Sequence, residues 1–72
     1  MTTEELFAAK LRGLRAERRM TQEELAASVG VSADSIKNWE SGAHTPTLRT
    51  TVRIADVLNC SLDHLVGRTA TA

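Results

Sequence analysis

An all-α fold of five short helices is what this 72-residue chain predicts, and three observations carry that reading. Apolar residues recur at helical spacing in Phe7, Leu11 and Leu14, in Leu25, Ala26 and Val29, in Ile36 and Trp39, in Leu48, Val52, Ala55 and Leu58, and in Leu62, Leu65 and Val66. Each run is preceded by a serine or threonine able to accept a hydrogen bond from an unpaired first-turn N–H: Thr2 or Thr3, Thr21, Ser32, Thr47 and Ser61. The runs stop at Gly30, Gly42, Asn59 and Gly67, residue types that tolerate the left-handed backbone of a helix end.

Helix one opens on Thr2 with Glu5, or on Thr3 alone, and its first-turn acids suit the positive end of the helix dipole. Phe7, Leu11 and Leu14 form its inner stripe, with Leu6 and Ala8 beside them. Gly13 interrupts the helix at a cost of about 1 kcal/mol relative to alanine, so a close packing contact is expected there. Lys10, Arg12, Arg18 and Arg19 form either a solvated face or a set of phosphate contacts.

The stretch Thr21 to Gly42 organises the remainder. Thr21 and Glu24 have capping-box spacing, so helix two starts near Gln22, and it stops before Gly30. The small Ala26 and Ala27 let the next helix approach, and Val31 plugs the corner. Ser32 opens helix three. Ile36 and Trp39 lie on its inner side, while Ala33, Asp34, Lys37, Asn38 and Ser41 fall on the outward side.

Pro46 makes Ala43 to Pro46 a loop, because proline disfavours helix for the residue before it. Thr47 then caps helix four, whose inner side is read as Leu48, Val52, Ala55 and Leu58, with Thr51, Ile54 and Val57 available to neighbours. Ser61 caps a last helix, Leu62 to Val66, closed by Gly67. Residues 1–3 and 68–72 are expected to be disordered tails of a single domain spanning 1–72.

A domain of this size buries only roughly 60% of its unfolded surface, and a second, ligand-sensing domain does not fit within it. The lone cysteine has no internal disulfide partner, and no signal peptide or membrane-length apolar run occurs, so a cytoplasmic protein is expected. His44, Cys60 and His64 are the only soft ligands and match no zinc spacing. No base is paired with a nucleophile and no glycine-rich phosphate loop is present; enzyme activity, metal and cofactor are all expected to be absent. Formal net charge is zero, which gives no far-field attraction to a polyanion. Basic residues gather in positions 1–20 and acids in the centre, so any nucleic-acid binding rests on local contacts.

The run Leu11 to Leu48, LRGLRAERRMTQEELAASVGVSADSIKNWESGAHTPTL, resembles the phage-repressor (Cro-type, XRE) helix-turn-helix family. The resemblance rests on Arg15, on Thr21 to Ala26, on Gly30 to Ser32, and on Glu40, Gly42 and Pro46, and it continues through RIADVLNCSLDHLVG. It implies a compact five-helix repressor-like DNA-binding domain with the helix-turn-helix at helices two and three. Its partner would be double-stranded DNA, bound by a homodimer on a palindromic operator to regulate transcription as a repressor.

Positions matched to the family motif give Ala33, Asp34, Lys37 and Asn38 as base contacts; Asp34 alternatively satisfies a backbone N–H of its own helix. Helix openings and the loop offer phosphate contacts at Gln22, Ser32, Ser41, His44, Thr45, Thr47 and Arg49. The resemblance also implies an ion pair between Arg15 and Glu40, and a dimer surface at Val57, Asn59, Leu62, Leu65 and Val66, residues which alternatively close the core.

The chain departs from the family pattern in four places. Arg19 and Asn59 replace the usual glycines, Cys60 replaces an apolar residue, and Ala43-His44-Thr45 replaces a basic loop, which predicts weaker, pH-sensitive backbone affinity. The competing reading is an antitoxin-like or scaffold module that turns the same face to a partner protein.

Overall fold

Every helix begins on a hydroxyl side chain that accepts from a backbone N–H in the first turn. Thr2, Thr21, Ser32, Thr47 and Ser61 hold α1 (Thr3–Glu17), α2 (Gln22–Val29), α3 (Ala33–Glu40), α4 (Leu48–Leu58) and α5 (Leu62–Leu65). In this computed structural model the described residues are 2–68; Met1 and residues 69–72, hence most of the expected C-terminal tail, lie outside them. Of the two openings expected for helix one, Thr2 with Glu5 is the one present, and Thr3 is the first residue of α1.

Two of the caps are reciprocal. Thr2 N donates to Glu5 Oε1 at 2.8 Å while Glu5 N donates to Thr2 Oγ1 at 3.1 Å; Thr21 and Glu24 repeat this at 2.8 and 3.0 Å. The bonds from Thr2 hold the Glu5 carboxyl below its usual range. A carboxyl with a lowered folded pKa stabilises the fold above its unfolded pKa, and that contribution is lost as pH falls through the folded one.

Positive φ marks the turns: Gly30 at 90°, Gly42 and Gly67 at 81°, Asn59 at 54° and Arg19 at 55°. Asparagine adopts this conformation readily, but arginine does so at a cost of about 1 kcal/mol. Arg19 therefore carries positive-φ strain, and the turn keeps the left-handed geometry that glycine would adopt freely.

Among the described residues, five helices surround one apolar centre made by Phe7, Leu11, Leu14, Leu25, Val29, Ile36, Ile54, Leu58 and Leu65. Helix α1 packs against α3 and α5, α2 against α3 and α4, and α4 against α5. The helix pair α2 and α3 is thus seated on a frame of three other helices. Met20, Val31, Trp39 and Cys60 pack partly buried around its edge. Burial raises the Cys60 thiol pKa, which leaves it protonated and unreactive at neutral pH.

Packing changes three of the local expectations. Gly13 is exposed, and a Cβ there would meet nothing within 4 Å, so no close contact explains the glycine. Only Ala26 of the two small residues faces α3; Ala27 is exposed. On α4 the buried residues are Ile54, Ala55 and Leu58, whereas Leu48 is 77% and Val52 39% exposed. The helix, which packs against α2 and α5, is rotated so that Ile54 and Leu58 enter the core and Leu48, at its first position, is left exposed.

These positions make opposite stability predictions. Gly13→Ala should raise unfolding free energy by about 1 kcal/mol, and Arg19→Gly should raise it by a similar amount, about 1 kcal/mol, by relieving positive-φ strain. Gly30→Ala should lower it, since a Cβ at φ 90° would also lie 2.7 Å from Arg53 Nη2. Urea unfolding midpoints at constant slope check all three.

Candidate nucleic-acid interface

Helix α3 has eight residues, too few to be oriented by a long packing seam, so its two ends decide how it sits. At the start, Ser32 Oγ accepts from Ser35 N at 3.1 Å and lies 3.0 Å from Ser35 Oγ. Ile36 is fully buried and Trp39 packs half-buried beside it. Asp34, Lys37 and Asn38 are exposed, and their side chains make no hydrogen bond among the described residues. Ala33 is half-buried at the edge of the core, which leaves only part of its methyl outward. Because Ser32 supplies the cap, the Asp34 carboxylate is left uncommitted.

At the other end Glu40 is 4% exposed, the only buried charged residue among those described. Its carboxylate is fully engaged. Arg15 Nε donates to Oε2 at 2.6 Å, Arg15 Nη2 to Oε1 at 3.1 Å, and Gln22 Nε2 to Oε1 at 3.0 Å. Such a fork fixes orientation as well as distance. Arg15 Nη1 also donates to the Met20 carbonyl at 2.7 Å, so one guanidinium joins α1, the α1–α2 turn and α3. Bonding to Glu40 raises the already high pKa of Arg15, against a smaller opposing effect of burial.

A helix end leaves carbonyls without intrahelical partners, and here each finds one. Lys37 O accepts from Ser41 N, Trp39 O from Gly42 N, and Asn38 O from Ala43 N, His44 N and the Ser41 hydroxyl. Glu40 O accepts from Arg12 Nη1. Arg12 is the residue that sequence reasoning missed, having been assigned to solvent or phosphate. Its position three before Arg15, on the same face of α1, was the available signal.

The positions offered for phosphate differ in how far their side chains are already committed. Gln22 is half-buried with one amide N–H committed to Glu40; an amide nitrogen carries two, so one is left. Ser41, His44, Thr45 and Arg49 are exposed. Thr47 accepts from Thr50 N at 3.2 Å and donates its hydroxyl to Thr50 Oγ1 at 3.1 Å, so the opening of α4 has backbone N–H groups rather than that hydroxyl to offer.

Among the residues considered for a subunit surface, Asn59 and Leu62 are exposed and Val57 and Val66 half-buried. Leu65 is fully buried in the core and has no surface to give a partner, because α5 turns it between α1 and α4. Among the described residues no group of three or more His, Cys, Asp or Glu is placed to hold a metal ion.

Comparison with known proteins follows from this geometry. The helix-turn-helix family pattern matches residues 11–65. The chain belongs to the helix-turn-helix family. A helix-turn-helix relative, the cryptic phage CTXphi transcriptional repressor RstR of Vibrio cholerae, is 47% identical over 51 residues, which are 71% of this chain and 46% of RstR. The chain therefore spans about half the length of that repressor.

Among solved structures, the SOS-response transcriptional repressor LexA of Eubacterium rectale superimposes with a TM-score of 0.86 at 26% identity, over 97% of this chain and 74% of that one. A cobalt(II) form of HppE in complex with Tris buffer superimposes with a TM-score of 0.83 at 32% identity, over 90% of this chain but 37% of HppE. This chain is a helix-turn-helix domain, and the same fold forms part of larger chains.

The Glu40 network makes a further measurable prediction. Arg15→Met should destabilise by about 3 kcal/mol because it leaves a buried carboxylate short of its main partner. Arg15→Met combined with Glu40→Leu should cost less than Arg15→Met alone. A double-mutant cycle in urea reads the coupling directly, and additive costs would show that the two side chains act independently.

Proposed function

We propose that this domain binds double-stranded DNA as a sequence-specific transcriptional regulator, acting as a repressor with α3 in the major groove. The observation that carries the reading is the division of α3: Ile36 is sealed in the core while Asp34, Lys37 and Asn38 face solvent with uncommitted side chains. Asn38 suits a bidentate pair with adenine, Lys37 a guanine or phosphate, Asp34 a cytosine amino group, and Ala33 a thymine methyl. Each good bidentate pair contributes roughly 1–3 kcal/mol of discrimination.

Phosphates are held by the free amide hydrogen of Gln22, by Ser32, Ser41, His44 and Thr45, and by the first turn of α4 with Thr47 and Arg49. With zero net charge, these local contacts supply the electrostatic attraction. A homodimer places two copies of α3 one turn of DNA apart, about 34 Å, on a palindromic operator. Val57, Asn59, Leu62 and Val66 form the pairing surface. Blocking polymerase, or contacting it, then follows from occupancy alone. No helix among the described residues is long and apolar enough to cross a membrane, and a cytoplasmic location accords with this role.

A second reading, a module that binds a partner protein, is favoured by the zero net charge and by Leu48, 77% exposed beside the motif. Salt separates the two. DNA binding predicts that log affinity falls with log salt by about 0.9 per phosphate contacted; a flat response supports the protein-binding module. Asn38→Ala should abolish preference for a sequence selected from a random duplex pool while leaving affinity for random duplex nearly unchanged. Equal loss on both would remove Asn38 from the readers.

A further inference from the structure

Helix α3 carries its four outward positions in two pairs that are held by different means. Ala33 and Asp34 follow the Ser32 cap, while Lys37 and Asn38 precede Glu40, where α1 grips the helix end. The grip has two parts. Arg15 and Gln22 hold the Glu40 side chain, and a side chain can rotate about its own bonds while still satisfying them. Arg12 holds the Glu40 carbonyl, which belongs to the helix backbone itself and passes any displacement to the turn that bears Lys37 and Asn38.

We infer that Arg12 is a positioning residue for the C-terminal half of α3, setting where Lys37 and Asn38 stand without touching what they read. The inference rests on the DNA-binding reading for its consequence, but not for its mechanical content. Arg12 and Arg15 are one helical turn apart on α1, and they reach the backbone and the side chain of the same residue. Glu40 is thereby fixed by three donors from α1 and α2, with Arg12 the one attached to the main chain. Directly after it the chain turns through Gly42 at φ 81°, and Ala43 N and His44 N return to Asn38 O at 3.1 and 3.3 Å. Loss of the Arg12 bond therefore loosens the carbonyl of Glu40 and the turn folded back onto Asn38. The Ser32 end, eight residues earlier, keeps its own cap.

Arg12→Met keeps the apolar stem and removes the donors, and Arg12→Lys keeps the charge without the planar fork. Affinity is measured at several salt concentrations on a duplex selected by the unmodified protein and on its single-base variants. In Arg12→Met, preference at the base pairs read by Lys37 and Asn38 should fall roughly tenfold, the size of one good base contact, while preference at the pairs read by Asp34 stays. The slope of log affinity on log salt should not change, and Arg12→Lys should recover part of the preference.

A slope reduced by about 0.9 with equal loss on every sequence would make Arg12 a phosphate contact and overturn the inference. Unchanged preference and slope with a lower unfolding midpoint would overturn it as well, leaving Arg12 a stabilising residue only. Amide hydrogen exchange without DNA tests the mechanical content separately. Protection at Gly42, Ala43 and His44 should fall in Arg12→Met while the amides of α1 and α4 keep theirs. Unchanged protection would sink the inference even if the DNA-binding reading stood, and lost protection would sustain it even if no duplex bound.

Discussion

A carboxylate taken out of water has to be matched, and the position of α3 depends on how Glu40 is matched. At 4% exposure its solvation is replaced by two bonds from Arg15 and one from Gln22. A buried ion pair of this kind adds little net stability over a well-packed apolar substitute, because desolvation offsets most of the attraction. It adds direction. An apolar contact at the same place would tolerate sliding and rotation of an eight-residue helix, whereas a bidentate fork with a third donor fixes the carboxylate at its end in direction as well as distance.

That constraint explains how so small a core presents a defined outer face. Ile36 and Trp39 anchor α3 along its inner side, Ser32 closes its beginning, and Glu40 ties its end to α1 and α2. Asp34, Lys37 and Asn38 are left with no internal task. The arrangement also gives Gln22 two roles at one atom, since the amide that steadies Glu40 stands at the first position of α2, where unpaired backbone N–H groups face outward.

The zero net charge sits less easily with a polyanion partner, and the structure makes the point local. Of the basic residues in α1 and at its end, Arg15 is spent on Glu40 and Met20, Arg12 on the Glu40 carbonyl, and Arg18, the C-cap, lies 3.4 Å from Glu17. Two of the five basic residues at the start of the chain are therefore structural, and the proposed phosphate contacts are Arg49 and His44 with hydroxyls, an amide and helix-opening N–H groups. Interfaces built this way lean on fit more than on field, which suits a regulator that discriminates among sequences better than one that coats DNA.

Caps, turns and helix order were legible from residue types because their causes are short-range. Thr21 with Glu24 forms a reciprocal cap by spacing alone, and Gly30 and Asn59 take positive φ because their side chains permit it. The apolar period put Ile36 inward and Asp34, Lys37 and Asn38 outward for the same local reason. Apart from the Arg15–Glu40 pair, which the family resemblance implied, the decisions made between helices lay beyond the sequence. The rotation of α4 that buries Ile54 and exposes Leu48, the burial of Leu65 and the open space beside Gly13 each depend on where a neighbouring helix lies. So does the reach of Arg12 to the Glu40 carbonyl, 28 residues away in the chain. Periodicity tells which side of a helix is apolar, but two helices packed face to face settle which few of those apolar residues touch, and which charged ones find each other.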